Sequence, residues 1–135
     1  MNPYYRIKNT ISYFWYNLRA RYQRSKRGYS YGDVWNMCDW FMRTVKPMLI
    51  HLKNNGISRP MEFKHRSEWE AVLEEMIDCL NFMDEDYVFK FLGFSAVDNY
   101  RNITEDDWNR LYTIMAENKN RFFELFSEHF FDLWD

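Results

Sequence analysis

The sequence predicts an all-α protein, a single compact helical domain of four to five helices that ends in a long C-terminal helix. Apolar residues recur at steps of three and four over long stretches, the period of an amphipathic helix. Glycine (4) and proline (3) are scarce among 135 residues, which disfavours a turn-rich β-sandwich. Aromatic residues make up 21% of the chain, enough ring surface to offset the entropy of ordering it.

The first helix is expected over about Tyr4 to Lys26. Ile7, Ile11, Phe14, Trp15, Leu18 and Tyr22 form one apolar stripe, and the basic residues gather in the last two turns, where cations complement the helix dipole. Gly28 is placed to end it in a left-handed conformation. A second helix should run from Ser30 to about Asn54, with Val34, Cys38, Phe41, Val45, Leu49 and Leu52 on one face. Pro47 lies inside that pattern and predicts a kink or break near Arg43 to Lys46. After a connection over Ile57 to Arg66, Ser67 and Glu70 read as a capping box. The helix it opens should bury Trp69, Val72, Leu73, Met76, Leu80 and Met83. Tyr87 to Leu92 fits either a short helix or an extended segment, and Gly93 to Asn102 reads as a loop. Thr104, followed by three acids, caps a long last stretch through Leu133, as one helix or two in tandem.

A formal net charge of −2 hides an asymmetry. Residues 1–30 hold seven basic side chains and no acid, +7, while the other 105 residues hold 11 basic and 20 acidic ones, −9. The chain therefore reads as a basic helix, 1–27, attached to an acidic body, 30–135, within one domain. Such a segment either folds on the body or meets an anionic partner. Long nucleic acids are disfavoured as that partner, because the acidic remainder repels them. Cys38 and Cys79 are expected to be reduced core or near-core thiols. With no secretory signal and no apolar run of membrane-spanning length, the expectation is a cytoplasmic protein without membrane association.

The sequence holds no GxSxG, Walker or GxGxxG pattern, so no catalytic residue and no cofactor is expected. His51, His65 and His129 lack an HExxH-like spacing, and no metal ligand is singled out. The densest polar and aromatic run is Arg27 to Trp40. A helix N-terminus, arginines for phosphate and rings for stacking would suit a nucleotide. The candidate ligand-binding residues are Arg24, Arg27, Tyr29, Asp33, Trp35, Asn36 and Asp39. The competing reading makes the rings core, Asp33 a cap and Arg27 its ion-pair partner. An enzymatic alternative would use Asp33 or Asp39 as base.

Arg27-Gly28-Tyr29-Ser30, Asp33, Trp35-Asn36-Met37, Phe41 and Lys46-Pro47-Met48-Leu49 resemble a widespread set of small uncharacterised proteins of tailed phages and prophages. The closing Phe123-Glu124-Leu125-Phe126 and Phe130 to Leu133-Trp134-Asp135 are similar to that family's ending. The resemblance covers about residues 27–83 and the last fifteen, with Cys38 where the family pattern carries Asp. It implies a phage accessory protein. The expected function is non-enzymatic: sequestering a small anionic, nucleotide-type ligand or otherwise inhibiting a host defence component. The alternative is a protein-interaction module or homo-oligomer that masks a host protein.

Overall fold

A computed structural model describes residues 3–94 and 103–134, with side chains from residue 10 onward. The described residues form six α-helices and no strand: α1 (Pro3–Arg27), α2 (Tyr31–Trp35), α3 (Met37–Asn55), α4 (Arg66–Phe82), α5 (Glu85–Phe91) and α6 (Glu105–Glu128). A 3₁₀ turn, Phe130–Asp132, follows α6. The all-α expectation holds, with one helix more than the sequence predicts. Among the described residues no helix is long and apolar enough to cross a membrane. The chain divides into two compact units, residues 1–43 and 44–135, the division falling inside α3.

In the first unit α1 runs unbroken to Arg27. Gly28, at φ +80°, donates its amide to the Arg24 carbonyl and turns the chain, a geometry glycine tolerates without a Cβ penalty. Ser30 then leads into the short α2. Gly32 admits the Tyr16 hydroxyl so closely that a Cβ there would lie 2.6 Å from it. The expected long second helix is interrupted at Asn36 (φ −134°, ψ 67°) and not at Pro47, which sits inside a continuous α3. The reason is local. Asn36 leaves the helical region and its side-chain oxygen accepts from the Asp39 amide at 3.4 Å, opening a new helix. Pro47 removes only one amide donor, a loss α3 tolerates.

The second unit is built on α4 packed along α6, with α5 against both. Trp69, Leu73, Met76, Ile77 and Leu80 of α4 meet Leu111, Phe122 and Leu125 of α6, and Val88 closes the end from α5; all are buried. Val72 and Met83, expected in the core, are half-buried. The α4 cap lies two residues before the expected box: the His65 amide donates to Glu68 Oε2 at 3.0 Å, because Glu68 is the residue three places into the helix that can reach back. Thr104 caps α6 as expected, its Oγ1 accepting from the Asp107 amide at 3.2 Å. Arg121 ties α6 to α4 through Glu75 at 2.6 Å. Arg66 donates to the Leu52 and Lys53 carbonyls in the last turn of α3, beside the Gly56 amide that already donates to Leu52. Tyr87 to Leu92 is resolved in favour of helix. Ile7, for its side chain, and most of the expected loop, residues 95–102, lie outside the description.

Candidate functional site

The seven ligand-binding candidates all lie in the first unit, where the fold distributes them over separate contacts. Arg24, in the last turns of α1, meets Asp33 of α2 in a bidentate pair, Nε to Oδ2 at 2.8 Å and a terminal nitrogen to Oδ1 at 2.6 Å. Asp33 Oδ2 also accepts from the Ser30 amide at 2.7 Å and the Ser30 hydroxyl at 2.9 Å. Asp33 and Ser30 are both buried. The Arg24 guanidinium, helped by the Ser30 donors and opposed by burial, holds the Asp33 carboxyl far below the usual carboxylate range. The same hydrogen bond raises Arg24 above an ordinary arginine. A carboxylate held so firmly ionised is a poor general base at neutral pH.

Arg27 takes a different route from the expected pairing with Asp33. Its guanidinium lies over the rings of Tyr29 (4.7 Å) and Tyr31 (4.2 Å), and its Nε donates to the Tyr29 carbonyl at 3.1 Å. That guanidinium also lowers the Tyr31 phenol, first through a hydrogen bond and then through its charge. Asn36 serves the start of α3, its Oδ1 accepting from Cys38 Sγ at 3.0 Å and from the Asp39 amide. Asp39 pairs with Arg43 at 2.8 Å, and Arg43 reaches to within 3.7 Å of Asp33. Trp35 stands alone on the surface, 92% exposed. Cys38 is exposed, whereas only Cys79 is a core thiol; position 38 falls on the solvent side of the first turn of α3. Burial raises the Cys79 thiol.

The contacts thus bring together Arg24 with Asp33, Arg27 with Tyr29, and Asn36 with Asp39, and they do not build one pocket from the seven. Sequence reasoning missed Arg43 and Tyr31. The i,i+4 spacing of Asp39 and Arg43 was the available signal for the first.

The stripe of α1 stays open. Ile11, Phe14, Trp15, Leu18 and Tyr22 are exposed by 46–63%, beside exposed Arg19, Arg21 and Lys26. Trp15, Leu18, Arg19, Arg21 and Tyr22 line a shallow concavity of about 590 Å³. The first unit carries eight basic and two acidic side chains, +6, against ten and eighteen, −8, in the second.

Within the second unit an apolar cleft of about 660 Å³ lies among Val45, Met48, Leu52, Phe126, Phe130 and Leu133. On the same C-terminal turn, the buried His129 comes together with Glu62 and Asp132. Val45 and Leu52 belong to the apolar face expected for the second helix, but periodicity does not say that a cleft stays open beside them. The i,i+3 spacing of His129 and Asp132 was the one sequence signal for the cluster.

Compared with known protein families, curated proteins and solved structures, the chain matches none.

Proposed function

We propose that the protein is a non-enzymatic binding protein that uses α1 as a docking helix, laying its aromatic stripe into an apolar, carboxylate-rimmed groove of a partner protein. The resemblance to phage accessory proteins suggests a host protein in that role. The observation that carries this reading is the row Ile11, Phe14 or Trp15, Leu18 and Tyr22, exposed at helical spacing on a helix rich in arginine and lysine. Helix-in-groove recognition uses anchors at such spacing, and contiguous exposed apolar surface of this kind marks interaction sites. Trp, Tyr and Arg are also the residues on which interface energy concentrates. The internal pairing of Arg24 and the ring stacking of Arg27 favour this reading over a phosphate site at those two side chains.

The test has two stages. The full chain carrying a photoreactive residue in place of Leu18 is crosslinked in host cells, and the captured protein is then purified and titrated with the unmodified chain. A complex that weakens with salt, loses at least about tenfold in affinity on Trp15→Ala and fails on Leu18→Asp supports the proposal. Crosslinks only to a second copy, or binding indifferent to both substitutions, overturn it.

A second reading, sequestration of a nucleotide-type anion, is favoured by the concavity where Trp15 and Tyr22 lie beside Arg19 and Arg21. Rings offer stacking and arginines offer charged donors for phosphate. Calorimetric titration with cyclic di- and trinucleotides and ADP-ribose derivatives tests it. Binding lost on Arg19→Ala or Arg21→Ala supports it, and silence across the panel removes it.

A further inference from the structure

The 3₁₀ turn that follows α6 creates a cluster with a donor set unlike any other in the described residues. The His129 amide still donates to the Leu125 carbonyl of α6, at 3.0 Å, while its own carbonyl accepts from the Asp132 amide at 2.9 Å. This reversal carries the Asp132 carboxylate back beside the imidazole. Glu62 arrives from the connection between α3 and α4. There the Phe63 amide donates to the Pro60 carbonyl at 3.2 Å, and Arg59 donates to the Phe63 and Lys64 carbonyls, holding a turn with Glu62 inside it. Trp69 and Phe63, with ring centroids 5.3 and 5.7 Å from the imidazole, pack against His129. The His129 side chain is 6% exposed.

Its Nδ1 lies 3.3 Å from Glu62 Oε1 and 3.7 Å from Asp132 Oδ2. Despite those ion-pair distances it makes no hydrogen bond, and it is the one buried side-chain nitrogen or oxygen without a hydrogen-bond partner among the described residues. Buried polar atoms are ordinarily satisfied. An imidazolium held by two carboxylates would direct its proton at one of them, and this nitrogen is aligned with neither. Two carboxylate oxygens and one aromatic nitrogen instead lie within 4.8 Å of one another, close enough to share one ion. Metal bonds of about 2.0–2.2 Å place tetrahedral ligand atoms about 3.4 Å apart, so the two distances to Nδ1 need little adjustment.

We propose that Glu62, His129 and Asp132 bind one divalent ion of the zinc class, through Nδ1 and one oxygen from each carboxylate. The mixed nitrogen and oxygen donors suit zinc better than magnesium or calcium, which favour all-oxygen shells. Ligands 67 residues apart would be fastened through the ion, joining the α3–α4 connection to the turn that ends the chain's last helix. The same turn supplies Phe130 and Leu133 to the apolar cleft, so the ion would also steady one wall of it.

The full chain, stripped with EDTA and titrated calorimetrically with Zn²⁺, should bind one ion with micromolar or tighter affinity, and its thermal midpoint should rise with added Zn²⁺ as linkage requires. Glu62→Gln and Asp132→Asn alter groups outside the core. Each should weaken Zn²⁺ binding about tenfold or more while leaving the metal-free midpoint unchanged. His129→Gln, accepted only if its circular dichroism matches the parent, should abolish binding. No binding up to about 1 mM Zn²⁺, or binding that survives both carboxylate substitutions and so resides on Cys38, His51 or His65, overturns the proposal.

Discussion

The two units put similar aromatic helices to opposite use. In the second unit Trp69 and Phe122 are fully buried, because α4, α5 and α6 present apolar stripes to one another. In the first, Trp15 and Trp35 are 63% and 92% exposed, and the buried residues among the described ones are Ala20, Ser30 and Asp33. One unit is held by packing and the other by a charged knot at the end of α1. A helical stripe specifies a face that can be covered; whether it is covered depends on how many neighbours offer a matching face.

The contrast predicts which substitutions matter. The largest effect should come from Trp69→Ala, which empties a core position next to His129 and Phe63. A loss of about 3–5 kcal/mol, read from the urea midpoint, is expected for a large ring removed from a close-packed site. A loss under about 1 kcal/mol would mean that the second unit is not a close-packed body.

Asp33→Ala should come next, at about 1–3 kcal/mol, since it removes a cap and strands the Arg24 pair. The effect should be local, seen as lost amide-exchange protection at Ser30 and Asp33, with the second unit's unfolding unchanged. Its pH dependence has a fixed sign. Asp33 is depressed in the folded chain, so its contribution is complete above the unfolded value of about 3.9 and is lost as pH falls towards the folded one. Because the folded carboxyl stays ionised through the ordinary carboxylate range, the Arg24 Nε–H resonance should hold steady from neutral pH to below about 4. A change already present at pH 6 would show that the pair is not what holds the turn.

The smallest effect is expected at Trp35. Its removal to Ala should change stability by no more than about 0.5 kcal/mol, because the ring covers almost nothing in this chain. A larger loss would mean that Trp35 is covered in solution, and would count against the contrast between the units.

Legibility followed the range of the interactions. The Thr104 cap and the α6 period were plain in the sequence, because a cap and a stripe involve residues three or four apart. The break at Asn36 is not legible from disruptor strength, by which Pro47 ranks first; an asparagine that caps the next helix supplies an alternative backbone geometry as well as removing one. Of the candidate site, Arg24 and Asp33 form an internal pair. Nine residues apart across a turn, they meet only once Gly28 has reversed the chain.

By itself the sequence determined the helical class, the Thr104 cap and the division of charge between a basic start and an acidic remainder. Tertiary structure alone decided which stripes are buried, which arginines are already engaged, and that Glu62 meets His129 across 67 residues. Local signals are written in adjacent side chains, whereas burial and site assembly depend on which distant surfaces the folded chain brings within a few ångströms of each other.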